Sequence, residues 1–162
     1  MQEADDGLAE APTPKRPERV FLVVVDETEE MRGALRYACR RAQRTQGRVA
    51  LLYVIEPVEF EHWLGVGRVM EAEARAAAEQ RMQTLAADVF RQTGAIPVVH
   101  IRAGKRDEEL SDLVRNDPTI STVVLGTAPG ASNPGPLVTY LMSNLGRKLR
   151  VPLTLIPGEL SI

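Results

Sequence analysis

Thr119-Ile-Ser-Thr-Val-Val-Leu-Gly-Thr-Ala-Pro-Gly-Ala-Ser-Asn-Pro-Gly-Pro136 changes character half-way along. Its first half is β-branched and aliphatic, the composition of a strand buried on both faces. From Gly126 onward glycine, proline and small residues take over, and an apolar helical pattern starts behind Pro136. A buried strand that runs through a glycine loop into a helix is a unit of an open α/β sheet. Loops at the carboxyl ends of such strands are where these sheets bind ligands.

Working outward, the same unit recurs. Val20-Phe-Leu-Val-Val-Val-Asp26 and Val49-Ala-Leu-Leu-Tyr-Val-Ile55 are continuous apolar runs, read as central parallel strands. Ile96-Pro-Val-Val-His-Ile101 and Val151-Pro-Leu-Thr-Leu-Ile-Pro157 are apolar runs carrying proline, which cannot donate to a ladder and marks an edge strand. Between the strands lie helical patterns. Met31, Leu35, Ala38 and Ala42 recur at helical spacing, with Thr28 offering an N-cap hydroxyl and Gly47 a stop. Residues 68–93 are rich in alanine, glutamate, arginine and glutamine, with Glu71 and Arg75 spaced for an ion pair. A short helix with Asp107 to Glu109 at its start ends at Asn116-Asp-Pro118, and Leu137, Leu141, Leu145 and Leu149 repeat every fourth residue. Five strands alternating with four helices imply a three-layer α/β/α sandwich with a mainly parallel, Rossmann-like sheet.

Residues 1–18 contain Pro12, Pro14 and Pro17 among charged and small residues, and after Met1 only Leu8 is bulky and aliphatic. Such a segment buries too little surface to offset its ordering entropy, so a flexible tail is expected there, either inert or tethering, and residues 19–162 form a single domain. The acidic N-terminus lacks the basic start and apolar core of a secretory signal, and no apolar run spans a bilayer, so a soluble cytoplasmic protein without membrane partners is expected. A formal net charge of −2 over 162 residues argues against a protein built to neutralise nucleic acid. The single cysteine, Cys39, excludes an intrachain disulfide and any multi-cysteine metal site.

Several chemistries fail on residues. The turn Asp26-Glu-Thr-Glu-Glu30 sets four carboxylates where a flavin phosphate would sit. A phosphate-accepting receiver needs an aspartate at the end of the third strand and a lysine at the end of the fifth, and neither is present. No G-x-S-x-G elbow accompanies the histidines; His62 lies beside Trp63 in a loop, and His100 reads as a structural residue of an apolar strand. Cys39 among arginines is either an inert buried thiol or an activated exposed one. Arg32, Arg36, Arg40 and Arg44 repeat in i, i+4 order, a solvated helix face or a surface for an anionic partner.

From about Arg19 to Gly158 the chain resembles the universal stress protein family. The resemblance rests on Val23-Val-Val-Asp26 with Thr28 behind it, the Ala34-Leu35…Ala38…Ala42 helix, and Leu51-Leu-Tyr-Val-Ile-Glu-Pro57. The Gly104 turn into an acidic helix, Val123-Val-Leu-Gly126 and Val151-Pro-Leu-Thr-Leu-Ile156 complete the order. The resemblance implies a stress-response regulatory module without dedicated enzymatic turnover, at most slow ATP hydrolysis, and an as yet unknown protein partner. It further implies a homodimer through the last strand, here Leu153 and Leu155, and in one branch ATP with Mg2+ as cofactor. In that branch a G-x2-G-x9-G-[S/T] loop lets backbone amides approach the phosphates. The roles fall on Asp26, Val54, Gly126, Gly130 and Thr139. Gly126 matches the first glycine; Pro129 falls on the second, and Thr139 and Tyr140 on the glycine–hydroxyl pair, with Gly130 or Gly135 as substitutes after a local shift. The chain thus reads as a module that does not take ATP in the usual mode, or as an adenine-nucleotide-binding module using this loop.

Overall fold

A computed structural model describes residues 17–57, 66–128, 135–143 and 149–158. The element order is β1 (Val20–Val24), α1 (Glu30–Thr45), β2 (Arg48–Ile55), α2 (Val66–Thr93), β3 (Val98–Ala103), α3 (Arg106–Asn116), β4 (Ile120–Thr127), α4 (Pro136–Ser143) and β5 (Leu153–Pro157). The five strands form one sheet in the order β3-β2-β1-β4-β5, and every neighbouring pair is parallel. The expected α/β fold is therefore present, and wholly rather than mainly parallel. The two proline-bearing runs supply the edge strands, β3 and β5.

Side-chain alternation along β1 shows why the strand carries no polar residue. Val20, Leu22 and Val24 face a core shared with Leu110, Leu113 and Val114 of α3 and Leu141 of α4. Phe21, Val23 and Val25 face the opposite core, built with Met31, Leu35, Ala38 and Ala42 of α1 and Met82 and Val89 of α2. A central parallel strand has no solvent face, so both registers must be apolar. Burying each such side chain is worth about 1.5–3 kcal/mol. On α2 the inward stripe is Ala78, Met82, Leu85 and Val89, whereas residues 68–77 are exposed.

Several local expectations change. β3 starts at Val98 rather than Ile96, because Pro97 cannot enter the ladder, and Ile96 is left 71% exposed. The left-handed residue ending α1 is Gln46 (φ 55°), not Gly47. Gly47 is required by crowding instead: a Cβ there would lie 2.4 Å from the Arg19 carbonyl oxygen. Arg75, midway between two glutamates, pairs with Glu79 at 3.3 Å and not with Glu71. Leu149 sits in a bridge after the described part of α4 and still enters the core beside Leu141; Leu145 lies outside the described residues. The proposed tail, apart from residues 17 and 18, also lies outside them, as do His62 and Trp63.

A candidate site at the sheet's switch point

The strand order reverses between β1 and β4, so the chain leaves their carboxyl ends toward opposite faces and opens a crevice between them. A cavity of about 240 Å3 occupies that position, lined by Asp26, Thr28, Glu30, Arg106, Gly126 and the start of α4 at Gly135 and Leu137.

Asp26 Oδ1 accepts from the Thr28 amide at 2.9 Å and from the Thr28 hydroxyl at 2.5 Å, closing an Asx turn. Thr28 therefore does not cap α1; the cap position is Glu29, with no side-chain bond. The aspartate's own demand for a local donor outcompetes the helix end, and the turn uses only one of its two carboxylate oxygens. The turn is held from the other side by α2. Arg81 donates to the Asp26 carbonyl oxygen at 2.7 Å and pairs with Glu27 at 3.6 Å.

Gly126 lines the cavity, but its lack of a side chain has a structural cause. A Cβ at this position would lie 2.4 Å from the Glu30 carbonyl carbon and 2.8 Å from the Met31 nitrogen. The first turn of α1 lies against the end of β4, and only glycine allows that approach.

Arg106 supplies a cation that spacing along the loop does not reveal. It is the first residue of α3, and its guanidinium reaches the cavity with Nε buried and unpartnered among the described residues. Its nearest carboxylate is Glu56, at 3.8 Å. Positive charge at the first helical position opposes the helix dipole, and that mismatch is the sequence signal that marks it.

Of the residues expected at the site, Asp26 and Gly126 line this cavity, and so does Gly135, expected as a substitute for the second glycine. Val54 is 4% exposed and sealed in the core of β2, and the cavity does not reach its side chain. Thr139 is exposed one turn into α4, its amide donating to the Gly135 carbonyl at 3.0 Å, and does not line the cavity. Gly130 lies outside the described residues, as do Pro129 and Ser132. Leu153 and Leu155 are half-buried on edge strand β5 and pack against the α3–α4 core. Cys39 is buried, which pushes its thiol up to about 11, so it is protonated and inert at neutral pH. No group of three metal-ligating side chains occurs among the described residues, and no described helix is long and apolar enough to cross a membrane.

The model of the universal stress protein family matches residues 18–157 of the chain. The chain belongs to the universal stress protein family.

Solved universal stress proteins share the fold at low identity. One from Lactobacillus plantarum is 22% identical with a TM-score of 0.70, the match covering 87% of this chain and 98% of that one. Another, from Archaeoglobus fulgidus in complex with dAMP, is 15% identical with a TM-score of 0.61, covering 87% and 99%. A family protein from Arabidopsis thaliana with AMP bound is 13% identical with a TM-score of 0.57, covering 87% and 92%. Comparison with curated proteins gives no match.

Proposed function

We propose that this universal stress protein acts as a homodimeric regulatory and interaction module that does not take ATP in the mode the family's glycine loop implies. The observation that carries the reading is the composition of the switch-point cavity. Asp26 and Glu30 set two carboxylates against the single guanidinium of Arg106, and Thr139 faces away. A triphosphate placed there would meet net negative charge without a second cation among the described residues, at short range where screening is weak. Gly126 does not argue against this, since the approach of α1 accounts for it.

One arrangement favours a second, narrower reading. Asp26, one of whose carboxylate oxygens is not used by the Asx turn, and Arg106 both line this cavity. That pair suits a ribose hydroxyl and a single phosphate, the groups of the AMP and dAMP bound by the Arabidopsis and Archaeoglobus proteins.

Calorimetry separates the two. The first reading expects no heat with ATP and Mg2+ at millimolar concentration, and no nucleotide released when the purified protein is denatured. Saturable binding of AMP that Arg106→Gln abolishes would establish the second. Tight binding of ATP with Mg2+ would overturn both.

A further inference from the structure

We propose that the acidic N-terminal segment, residues 1–16, docks in the groove between α1 and α2 of its own chain. The groove has a volume of about 670 Å3 and lies on the face of the sheet away from α3 and α4. It is bounded at one end by the Gln43 amide on the Gln92 carbonyl, and at the other by Arg81 on Asp26 and Glu27. Met31, Leu35 and Leu85 give it an apolar floor, and Arg32 and Arg36 stand exposed on its rim.

α1 carries Arg32, Arg36, Arg40, Arg41 and Arg44 against the single acid Glu30. Arginines at i, i+4 spacing repel one another along the exposed face. Neither Arg32 nor Arg36 has an ion-pair partner among the described residues. Three carboxylates also line the groove: Glu27 is paired with Arg81 and Asp88 with Arg91, while Glu29, at the N-terminal end of α1, has no ion pair among the described residues.

Charge and reach both favour this segment as the occupant. Residues 1–16 place Glu3, Asp5, Asp6 and Glu10 around Leu8, while the segment's two cations, Lys15 and Arg16, are held at its end next to Pro17. The stretch around Leu8 complements the apolar floor and the Arg32 and Arg36 side of the groove. The segment joins the fold beside the C-terminal end of α1, where Glu18 pairs with Arg48 at 3.2 Å and the Arg19 carbonyl accepts from the Arg48 amide at 2.8 Å. From Pro17 back to Leu8 the chain reaches roughly 30 Å when extended. From the end of α1 up to Arg36 the helix rises only about 14 Å. Leu8 therefore reaches the floor with its acids level with the arginine row.

The test uses the full chain. A nitroxide is attached at Ala9→Cys; the buried, protonated Cys39 stays unlabelled. At low salt, amide resonances of residues 31–36 and 81–88 are expected to lose about twofold or more of their intensity, and to recover near 1 M salt, where the screening length shrinks to about 3 Å. Recovery is also expected when the four acids are replaced by Glu3→Gln, Asp5→Asn, Asp6→Asn and Glu10→Gln. The same recovery is expected with Arg32→Glu and Arg36→Glu. No broadening, broadening elsewhere, or broadening insensitive to both variants overturns the proposal. So does broadening that appears when isotope-labelled chains without the nitroxide are mixed with spin-labelled unlabelled ones, since a second copy would then supply the tail.

Discussion

At Gly126 the contact is backbone against backbone, so no side chain can swing aside to admit a methyl group. Gly126→Ala is expected to push α1 off the end of β4 and to cost about 1–3 kcal/mol, the range of overpacking. Urea unfolding measures it; an unchanged midpoint would return Gly126 to a ligand-binding role alone. His100 makes a different residue-scale prediction. Burial, then the nearby Arg102, pull its pKa down, although Asp117 opposes them, and its Nε2 is buried without a partner among the described residues. A histidine held neutral by the fold leaves the unfolded chain binding more protons just below the ordinary value of about 6.5. Stability from this group is therefore present above that pH and lost as pH falls through it toward the lowered folded value. Denaturant titrations at stepped pH should show a shallower acid loss for His100→Gln than for the wild type; parallel curves would remove the claim.

Between elements, one side chain joins three pieces of main chain. Arg150, just before β5, donates from Nε to the Val114 carbonyl at 3.0 Å, from one terminal nitrogen to Ile120 at 3.4 Å, and from the other to Asp117. It closes the C-terminal end of α3 and the start of β4 together. Removing a guanidinium that serves three carbonyls is expected to cost about 1.5–3 kcal/mol, with Arg150→Lys recovering only part because its point charge lacks the fork. Thermal unfolding of the Ala and Lys variants checks the order. This contact also marks the limit of legibility. Strands announce themselves because an all-apolar run such as Val20–Val25 has no other home than a sheet covered on both sides. Prolines at 97, 152 and 157 likewise located the edges. Arg150, Arg81 and Arg106 act at sequence distances of 30 or more, and no local pattern announces such reach. Thr28 misled for a related reason: cap and Asx turn use the same hydroxyl, and only the neighbouring carboxylate's position decides between them. That Asp26 and Gly126 lie at one cavity was legible because strand ends fix their positions; that Thr139 is exposed and does not line it was not, because the rotation of a helix is invisible in spacing from a loop.

Across the whole molecule, the side of β5 opposite β4 has no strand beside it among the described residues. The Val123 amide donates to the Pro152 carbonyl and the Gly158 amide to the Thr127 carbonyl, so even-numbered residues of β5 direct their polar groups at β4. Leu153 and Leu155 consequently direct theirs outward, while Pro157 has no amide hydrogen to offer. The edge thus presents a short, bounded run of donors and acceptors around Leu155, long enough to pair with a second copy and stopped by proline from extending further. A homodimer through this run is expected, with the two copies of β5 joined across it. Leu155→Lys would test it poorly, because Leu155 also packs on its own chain's core. Leu155→Pro removes the outward amide hydrogen and keeps an apolar side chain. Light scattering should report a dimer for the wild type and a monomer for Leu155→Pro, with circular dichroism of the two alike. A monomeric wild type, or a variant that remains dimeric, would mean that the edge is covered in another way.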